Sequence, residues 1–227
     1  MATVPQTPRI ALLAGATGLV GRELLPLLLT SERYARVHAL VREGSKVIED
    51  HGKLQVHPVH FTHLPDPLPK ADDVYIALGT TIKTAGSNAA FREVDFDFVL
   101  ATARAAKAAG ARRIAVVSAL GGDSGSRVFY NRVKGEMQAA LSALDFDSTV
   151  FAQPSLLLGD RAALGQPLRS GEVWATRLLG PVMGWLPKGV RPIQASAVAA
   201  AMLAATLAGT PGVRILGSAE MQDAPHR

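Results

Sequence analysis

The stretch that most constrains this chain is an apolar run that passes directly into three evenly spaced glycines. Residues 9–14 read RIALLA, which is typical of a buried strand, and GATGLVG follows before a helix-like segment. Glycines in this setting permit a tight turn, so that backbone N–H groups and the helix N-terminus can approach a pyrophosphate. The setting therefore predicts a dinucleotide site, although the glycine spacing alone would be weak evidence. The expected contacts come from Gly15, Thr17, Gly18, Leu19, Val20 and Gly21.

Strand-like and helix-like segments alternate along the rest of the chain. The predicted helices are Leu19–Thr30, Ala89–Ala109 and Arg127–Leu144. The predicted strands are Arg9–Ala14, Arg36–Val41, Leu54–Val59, Val74–Leu78, Arg113–Ser118 and Thr149–Ala152, with a seventh near Val213. This alternation predicts an α/β fold, a doubly wound parallel Rossmann sheet with helices on both faces. We expect residues 1–227 to form a single domain, in which residues 155–227 contribute a small substrate cap.

The composition argues against several classes of protein. The chain has no cysteine, so disulfides, thiolate metal sites and cysteine nucleophiles are excluded. The net charge is +5, but the basic residues are scattered, so we do not expect a nucleic-acid partner. The first residues do not resemble a secretory signal, and the small-residue run Ala195–Gly209 is shorter than a membrane span. These observations predict a cytoplasmic protein that does not bind membranes.

The end of the second predicted strand predicts which cofactor binds. An acidic residue there would bind the ribose 2′-hydroxyl of NAD, whereas an arginine accommodates the extra phosphate of NADP. Arg42 is at this tip and Lys46 follows, which favours NADP, unless both are only exposed loop charges. Glu43 lies between them and favours NAD if it points inward. Further cofactor contacts are expected from Leu78, Gly79 and Thr80, which end the fourth strand.

The segment FYNRVKGE puts Tyr130 and Lys134 four residues apart on a predicted helix, so both side chains face the same way. A phenol donates a proton more readily when a nearby ammonium stabilises its anion. Ser118 ends the fifth strand, where it could hold a substrate carbonyl by a hydrogen bond. Alone, the tyrosine–lysine pair would be read as a surface pair; together with the glycine turn, the three residues predict a catalytic site.

The sequence at this point resembles the short-chain dehydrogenase/reductase superfamily, in its extended or atypical branch. The segments LGTTIKTAGSNAAFREVDFDFVLATARAAKAAGARR, VSALGGDS, FYNRVKGEM and QPSLLLGDR look like the Tat-interacting-protein oxidoreductases and their bacterial relatives. The resemblance runs from about residue 9 to residue 217. It implies NADPH bound by a Rossmann fold, with Tyr130 as proton donor or acceptor, Lys134 anchoring the nicotinamide ribose and Ser118 orienting substrate. It also implies cofactor contacts from Pro154, Ser155, Leu156, Leu157 and Arg169.

These observations predict an NADPH-dependent oxidoreductase that reduces a small carbonyl compound. Two alternatives stay open: a redox-sensing module that binds NADPH and acts through a protein partner, and an epimerase or dehydratase of the same superfamily. We expect a monomer or a homodimer. No metal is expected, because Pro58 argues against a helix that would gather His57, His60 and His63. Asp95 and Asp97 are expected to be solvated or interface charges.

Overall fold

The computed structural model describes residues 7–45, 50–158 and 187–223. Seven parallel strands form one sheet in this part of the chain: β1 (Arg9–Ala14), β2 (Tyr34–Arg42), β3 (Leu54–Val59), β4 (Asp73–Ile76), β5 (Arg113–Val117), β6 (Ser148–Gln153) and β9 (Gly212–Gly217). Two short strands, β7 (Leu157–Leu158) and β8 (Ile193–Gln194), pair separately. The described helices are α1 (Leu19–Thr30), α2 (Ile82–Ala85), α3 (Asn88–Arg92), α4 (Phe98–Ala108), α5 (Phe129–Ser142), α6 (Ala195–Ala208) and α7 (Ser218–Asp223).

The strand order is β3-β2-β1-β4-β5-β6-β9. The chain adds strands outward from β1 in one direction and then outward from β4 in the other, so the order reverses between β1 and β4. Open parallel sheets bind ligands beyond the carboxyl ends of their strands at such a point. The predicted doubly wound Rossmann fold is confirmed, including the seventh strand.

Two buried apolar clusters cover the two faces of the sheet. Helices α1 and α6 pack on one face, where the alanine-rich α6 lies against α1 and Leu24 and Leu28 of α1 are fully buried. Helices α4 and α5 cover the other face through residues such as Val99 and Met137. None of the helices in the described ranges is long and apolar enough to cross a membrane.

The predicted long helix Ala89–Ala109 differs from the structure in one respect. A π-helical segment, Glu93–Asp97, lies between α3 and α4. A π-helix has i→i+5 hydrogen bonds and therefore a wider turn than an α-helix, and such segments are frequent at functional sites. The helix that packs beside the carboxyl ends of the strands thus has one wider turn at this point.

A charged network lies at the opposite, amino end of the sheet. The carboxylate of Asp73 is fully buried and accepts hydrogen bonds from Arg9 at 2.9 Å and Arg113 at 3.1 Å. The Tyr34 hydroxyl donates to Asp73 at 2.6 Å and lies 2.7 Å from the Tyr75 hydroxyl. Burial raises the pKa of both phenols, so they stay protonated. This network ties β1, β2, β4 and β5 together far from the predicted site.

Candidate cofactor and active site

The glycine turn after β1 has the close backbone packing that only glycine allows. Gly15 has a φ of +90°, and a Cβ there would lie 2.7 Å from the carbonyl of Ala77. A Cβ on Gly21 would lie 2.0 Å from the carbonyl oxygen of Gly15. Gly18 precedes α1, and among the described residues no side chain caps this helix N-terminus and no acidic residue stands in its first turn. The first N–H groups of α1, from Leu19 onward, are therefore suited to bind a phosphate.

A cavity of about 470 Å³ begins at this turn and extends along the carboxyl ends of β1, β2 and β4. Its lining includes the predicted residues Gly15, Thr17, Gly18, Arg42, Leu78, Gly79 and Thr80. The predicted residues Leu19, Val20 and Gly21 form the first turn of α1, with Val20 and Gly21 buried. A glycine cradle at one end and an arginine at the tip of β2 fit a dinucleotide that carries phosphates.

The charged residues beyond β2 point to different partners. Arg42 is exposed and lines the cavity with Ser45, whose N–H donates to the Arg42 carbonyl at 3.0 Å. The carboxylate of Glu43 lies 3.0 Å from Nε2 of His60 in the loop after β3. Lys46, the other predicted base, lies outside the described residues. The tip of β2 thus presents an arginine to the cavity while the adjacent glutamate contacts a histidine.

Tyr130 and Lys134 occupy the first turns of α5. The ring of Tyr130 packs on Phe91 of α3, with ring centroids 5.3 Å apart, and Tyr130 is partly exposed. Lys134 is buried; its Nζ lies 2.8 Å from Oδ1 of Asp95 and 3.5 Å from the carbonyl oxygen of Val117 at the end of β5. Helix α5 therefore brings the predicted pair to the carboxyl edge of the sheet, with the ammonium paired to a carboxylate.

Asp95 belongs to the candidate site, but the sequence analysis did not predict it there. The expectation that it is a solvated or interface charge is wrong, because its side chain is 1% exposed. Its Oδ2 also accepts a hydrogen bond from the Thr80 N–H at 2.8 Å, on the cavity wall. A signal was present in the sequence, since Asp95 falls in four-residue steps with the buried Phe91 and Val99. Such steps exceed the 3.6-residue period of an α-helix, and the wider π-helical turn keeps Asp95 facing inward.

Ser118 follows β5 but belongs to an enclosed polar network. Ser118 is 3% exposed, and its Oγ accepts a hydrogen bond from Gln138 Nε2 at 2.7 Å. Gln138 in turn accepts from Gln153 Nε2 at 3.0 Å. Gln138 is on α5, one turn beyond Lys134, so the predicted serine and lysine share a neighbourhood. The Ser118 hydroxyl oxygen already accepts a hydrogen bond, but the hydroxyl proton can still be donated to another group.

The predicted contacts after β6 lie at the same edge of the sheet. The carbonyl of Pro154 accepts from Leu120 N–H at 2.9 Å. The Ser155 hydroxyl donates to the carbonyl of Arg191 and lies 2.9 Å from the Ser218 hydroxyl, while Leu156 precedes β7 and Leu157 is its first residue. Arg169, the remaining predicted contact, lies outside the described residues.

The histidines of β2 and β3 bind one another. Nδ1 of His38 lies 2.9 Å from Nε2 of His57. Burial first, and then the nearby His57 and Arg36, lower the pKa of His38 to about 4, and burial also lowers the pKa of His57, so the pair is neutral at neutral pH. Nδ1 of His63 contacts the Thr62 hydroxyl at 3.0 Å. Within the ranges that the structure covers, no three histidine, cysteine, aspartate or glutamate side chains form a group that could hold a metal.

Comparison with known proteins assigns the chain to a family. The sequence model of an NAD(P)H-binding family matches residues 15–156. "Protein FMP52, mitochondrial" from Coccidioides immitis is 31% identical over 189 residues, which cover 78% of this chain and 75% of that protein. The protein of the same name from Candida glabrata is 31% identical over 219 residues, covering 93% of each chain. The expected cytoplasmic location is contradicted by these relatives, which are named as mitochondrial proteins.

Solved structures share the fold at low sequence identity. The enzyme WbmG of Bordetella bronchiseptica, in complex with NAD, has a TM-score of 0.67 at 17% identity and is matched over 95% of this chain and 74% of its own. A short-chain dehydrogenase family protein from Francisella tularensis has a TM-score of 0.67 at 11% identity, over 96% of this chain and all of its own. The glycine turn and the cavity agree with the family match. This chain therefore belongs to the NAD(P)H-binding family and has its Rossmann fold.

Proposed function

We propose that this protein is an NADPH-dependent oxidoreductase that reduces a small carbonyl compound. The observation that carries the proposal is the position of the Tyr130–Lys134 pair on α5, beside the π-helical segment whose Glu93 and Val94 line the cofactor cavity. When bound, the cofactor would supply a hydride to the carbonyl carbon. Tyr130 would donate the proton to the carbonyl oxygen, and Lys134 would bind the nicotinamide ribose. We also propose that the protein is related to the Tat-interacting-protein oxidoreductases, which its sequence resembles.

The preference for NADPH rests on the tip of β2. Arg42 lines the cavity, and a guanidinium binds a phosphate through charge-assisted hydrogen bonds. Glu43 would repel that phosphate if its carboxylate turned inward, but it contacts His60. Both observations support a cofactor that carries a 2′-phosphate. The pyrophosphate of the cofactor would be held by the N–H groups of the glycine turn and of α1.

The proposed role of Tyr130 is tested by Tyr130→Phe, which removes only the hydroxyl group. A panel of small aldehydes and ketones is screened with the unmodified protein for oxidation of NADPH. We expect the variant to bind NADPH as before and to lose about 100-fold or more in kcat, the usual contribution of a general acid. Tyr34→Phe is the matched control, because it removes a hydroxyl at the opposite end of the sheet and should leave kcat unchanged. Turnover that survives Tyr130→Phe would refute the role.

The enclosed position of Ser118 favours a second candidate function. A hydroxyl that is 3% exposed and already bonded to Gln138 is poorly placed to meet a substrate, which supports a module that senses NADPH and acts through a protein partner. This candidate predicts tight NADPH binding with no turnover of any carbonyl in the panel. It also predicts a partner whose affinity changes between NADPH and NADP. An active carbonyl substrate with Tyr130-dependent turnover would exclude it.

A further inference from the structure

The Asp95 carboxylate uses both of its oxygen atoms at the edge of the cavity. Oδ1 lies 2.8 Å from the Lys134 ammonium, and Oδ2 accepts the Thr80 N–H at 2.8 Å. The side chains of Asp95 and Lys134 are 1% and 4% exposed. Burying an ion pair costs desolvation energy, and an apolar pair of similar volume is often at least as stable. Stability alone therefore does not account for charged residues at these two positions.

The carboxylate connects two parts of the site that are distant in sequence. Thr80 belongs to the loop after β4 that lines the cavity, whereas Lys134 is on α5 next to Tyr130. The loop packs closely on Asp95, since a Cβ on Gly79 would lie 3.3 Å from Oδ1. The π-helical segment that carries Asp95 also contributes Glu93 to the cavity wall. A displacement of Asp95 would therefore move the cavity loop and the ammonium together.

We propose that Asp95 is a positioning residue for cofactor binding. It fixes the Lys134 ammonium where the nicotinamide ribose binds, supplies its counter-ion, and holds the loop at Thr80 in the conformation that forms the cavity wall. Without this carboxylate, the ammonium is buried with no charge from Asp95 to balance it, and the proposed contact with the nicotinamide ribose loses its fixed donor. The inference rests on the role of Lys134 in the proposed function, and it adds the group that sets the position of that lysine.

The test measures binding of two ligands to the full chain by calorimetry. NADPH reports on the whole cavity, whereas 2′,5′-ADP reports only on its adenine half. Asp95→Asn keeps an oxygen for the Thr80 N–H and removes the charge that faces Lys134. We expect it to weaken NADPH binding about ten-fold, within the coupling range of residues in contact, and to change 2′,5′-ADP affinity by less than about three-fold. Because Asp95 and Lys134 act through one contact, adding Asp95→Asn to Lys134→Met should produce little further loss of NADPH affinity.

Asp73→Asn is the matched control, since Asp73 is also a buried carboxylate with ion pairs but lies at the opposite end of the sheet. It should lower the melting temperature and leave NADPH affinity unchanged. A merely structural Asp95 would behave in the same way, and that result would overturn the inference. Equal losses of NADPH and 2′,5′-ADP affinity, or additive losses in the double variant, would also overturn it. If the unmodified protein binds neither NADPH nor NADH, the proposed function fails, and the inference fails with it.

Discussion

Gly21→Ala tests whether the turn after β1 has the packing that cofactor binding requires. The new Cβ would lie 2.0 Å from the Gly15 carbonyl oxygen, about 1.5 Å inside the optimal separation of nonbonded heavy atoms. The nearby atoms, of Gly15 and Ala16, are all backbone, so no flexible side chain can give way. Overpacking of this kind costs about 1–3 kcal/mol, and we expect the upper part of that range. Alanine returns about 1 kcal/mol through its better helix propensity.

The expected net loss is therefore about 2 kcal/mol, which corresponds to a fall in Tm of about 4–8 °C for a chain of this size. Cofactor binding should suffer more than stability. The Gly15 carbonyl accepts the Gly18 N–H at 3.0 Å, so a shift of that oxygen distorts the whole turn. We expect NADPH affinity to fall by at least about ten-fold. Thermal melting and calorimetric titration on the same preparation measure both effects.

Two further glycines calibrate the series. Gly18→Ala would place its Cβ 3.2 Å from the Gly15 carbonyl oxygen, and it should show a smaller loss of stability than Gly21→Ala. Gly52→Ala has no atom within 4 Å of the new Cβ and should behave like the unmodified protein. A Gly21→Ala protein that has the same melting temperature as the unmodified protein and binds NADPH equally well would show that the turn accommodates a side chain, and it would refute the expectation that cofactor binding requires the close packing at Gly21.

Arg42→Ala should weaken NADPH binding about ten-fold while NADH binding changes little, because only NADPH carries the 2′-phosphate; equal losses in the two titrations would remove the proposed preference. The pKa of His38 is about 4 in the folded protein against 6.5 for the ordinary side chain, so the unfolded chain binds more protons as the pH falls between these values. The free energy of unfolding should fall by about 2 kcal/mol over that window, after a discount for partial solvation, and His38→Asn should flatten its pH profile measured by urea unfolding. Asp73→Asn should cost about 3 kcal/mol in the same assay, because two arginines lose the charge of a buried partner; a loss below about 1 kcal/mol would contradict this account of the network.

The fold was readable from the sequence because its signals are local. The run Arg9–Ala14, the glycines after it and the helix Leu19–Thr30 all have the predicted bounds. The strand near Val213 was also recognisable, as an apolar run that pairs with β6. Periodicity and turn chemistry act over a few residues, so a single sequence is enough to reveal them.

The contacts of the candidate site were less readable, because they join residues far apart in sequence. Asp95 and Lys134 meet only after the π-helical segment and α5 have packed together, and no spacing rule connects them. Similarly, the pairing of Glu43 with His60 depends on how two loops approach each other. The position of Ser118 next to a strand end was predicted, whereas its enclosure by Gln138 follows from tertiary packing.

The buried Asp95–Lys134 pair also has a consequence for ionic strength. Dissolved ions screen exposed charges over about 8–10 Å, but they screen buried pairs much less. Arg42 is exposed on the cavity wall, whereas the Lys134 ammonium is enclosed beside Asp95, its counter-ion. If Arg42 binds the 2′-phosphate and Lys134 binds the nicotinamide ribose, as proposed, added salt should weaken the phosphate contact and leave the ribose contact almost unchanged. A salt titration of the unmodified protein would thus separate the two ends of the cofactor without any substitution.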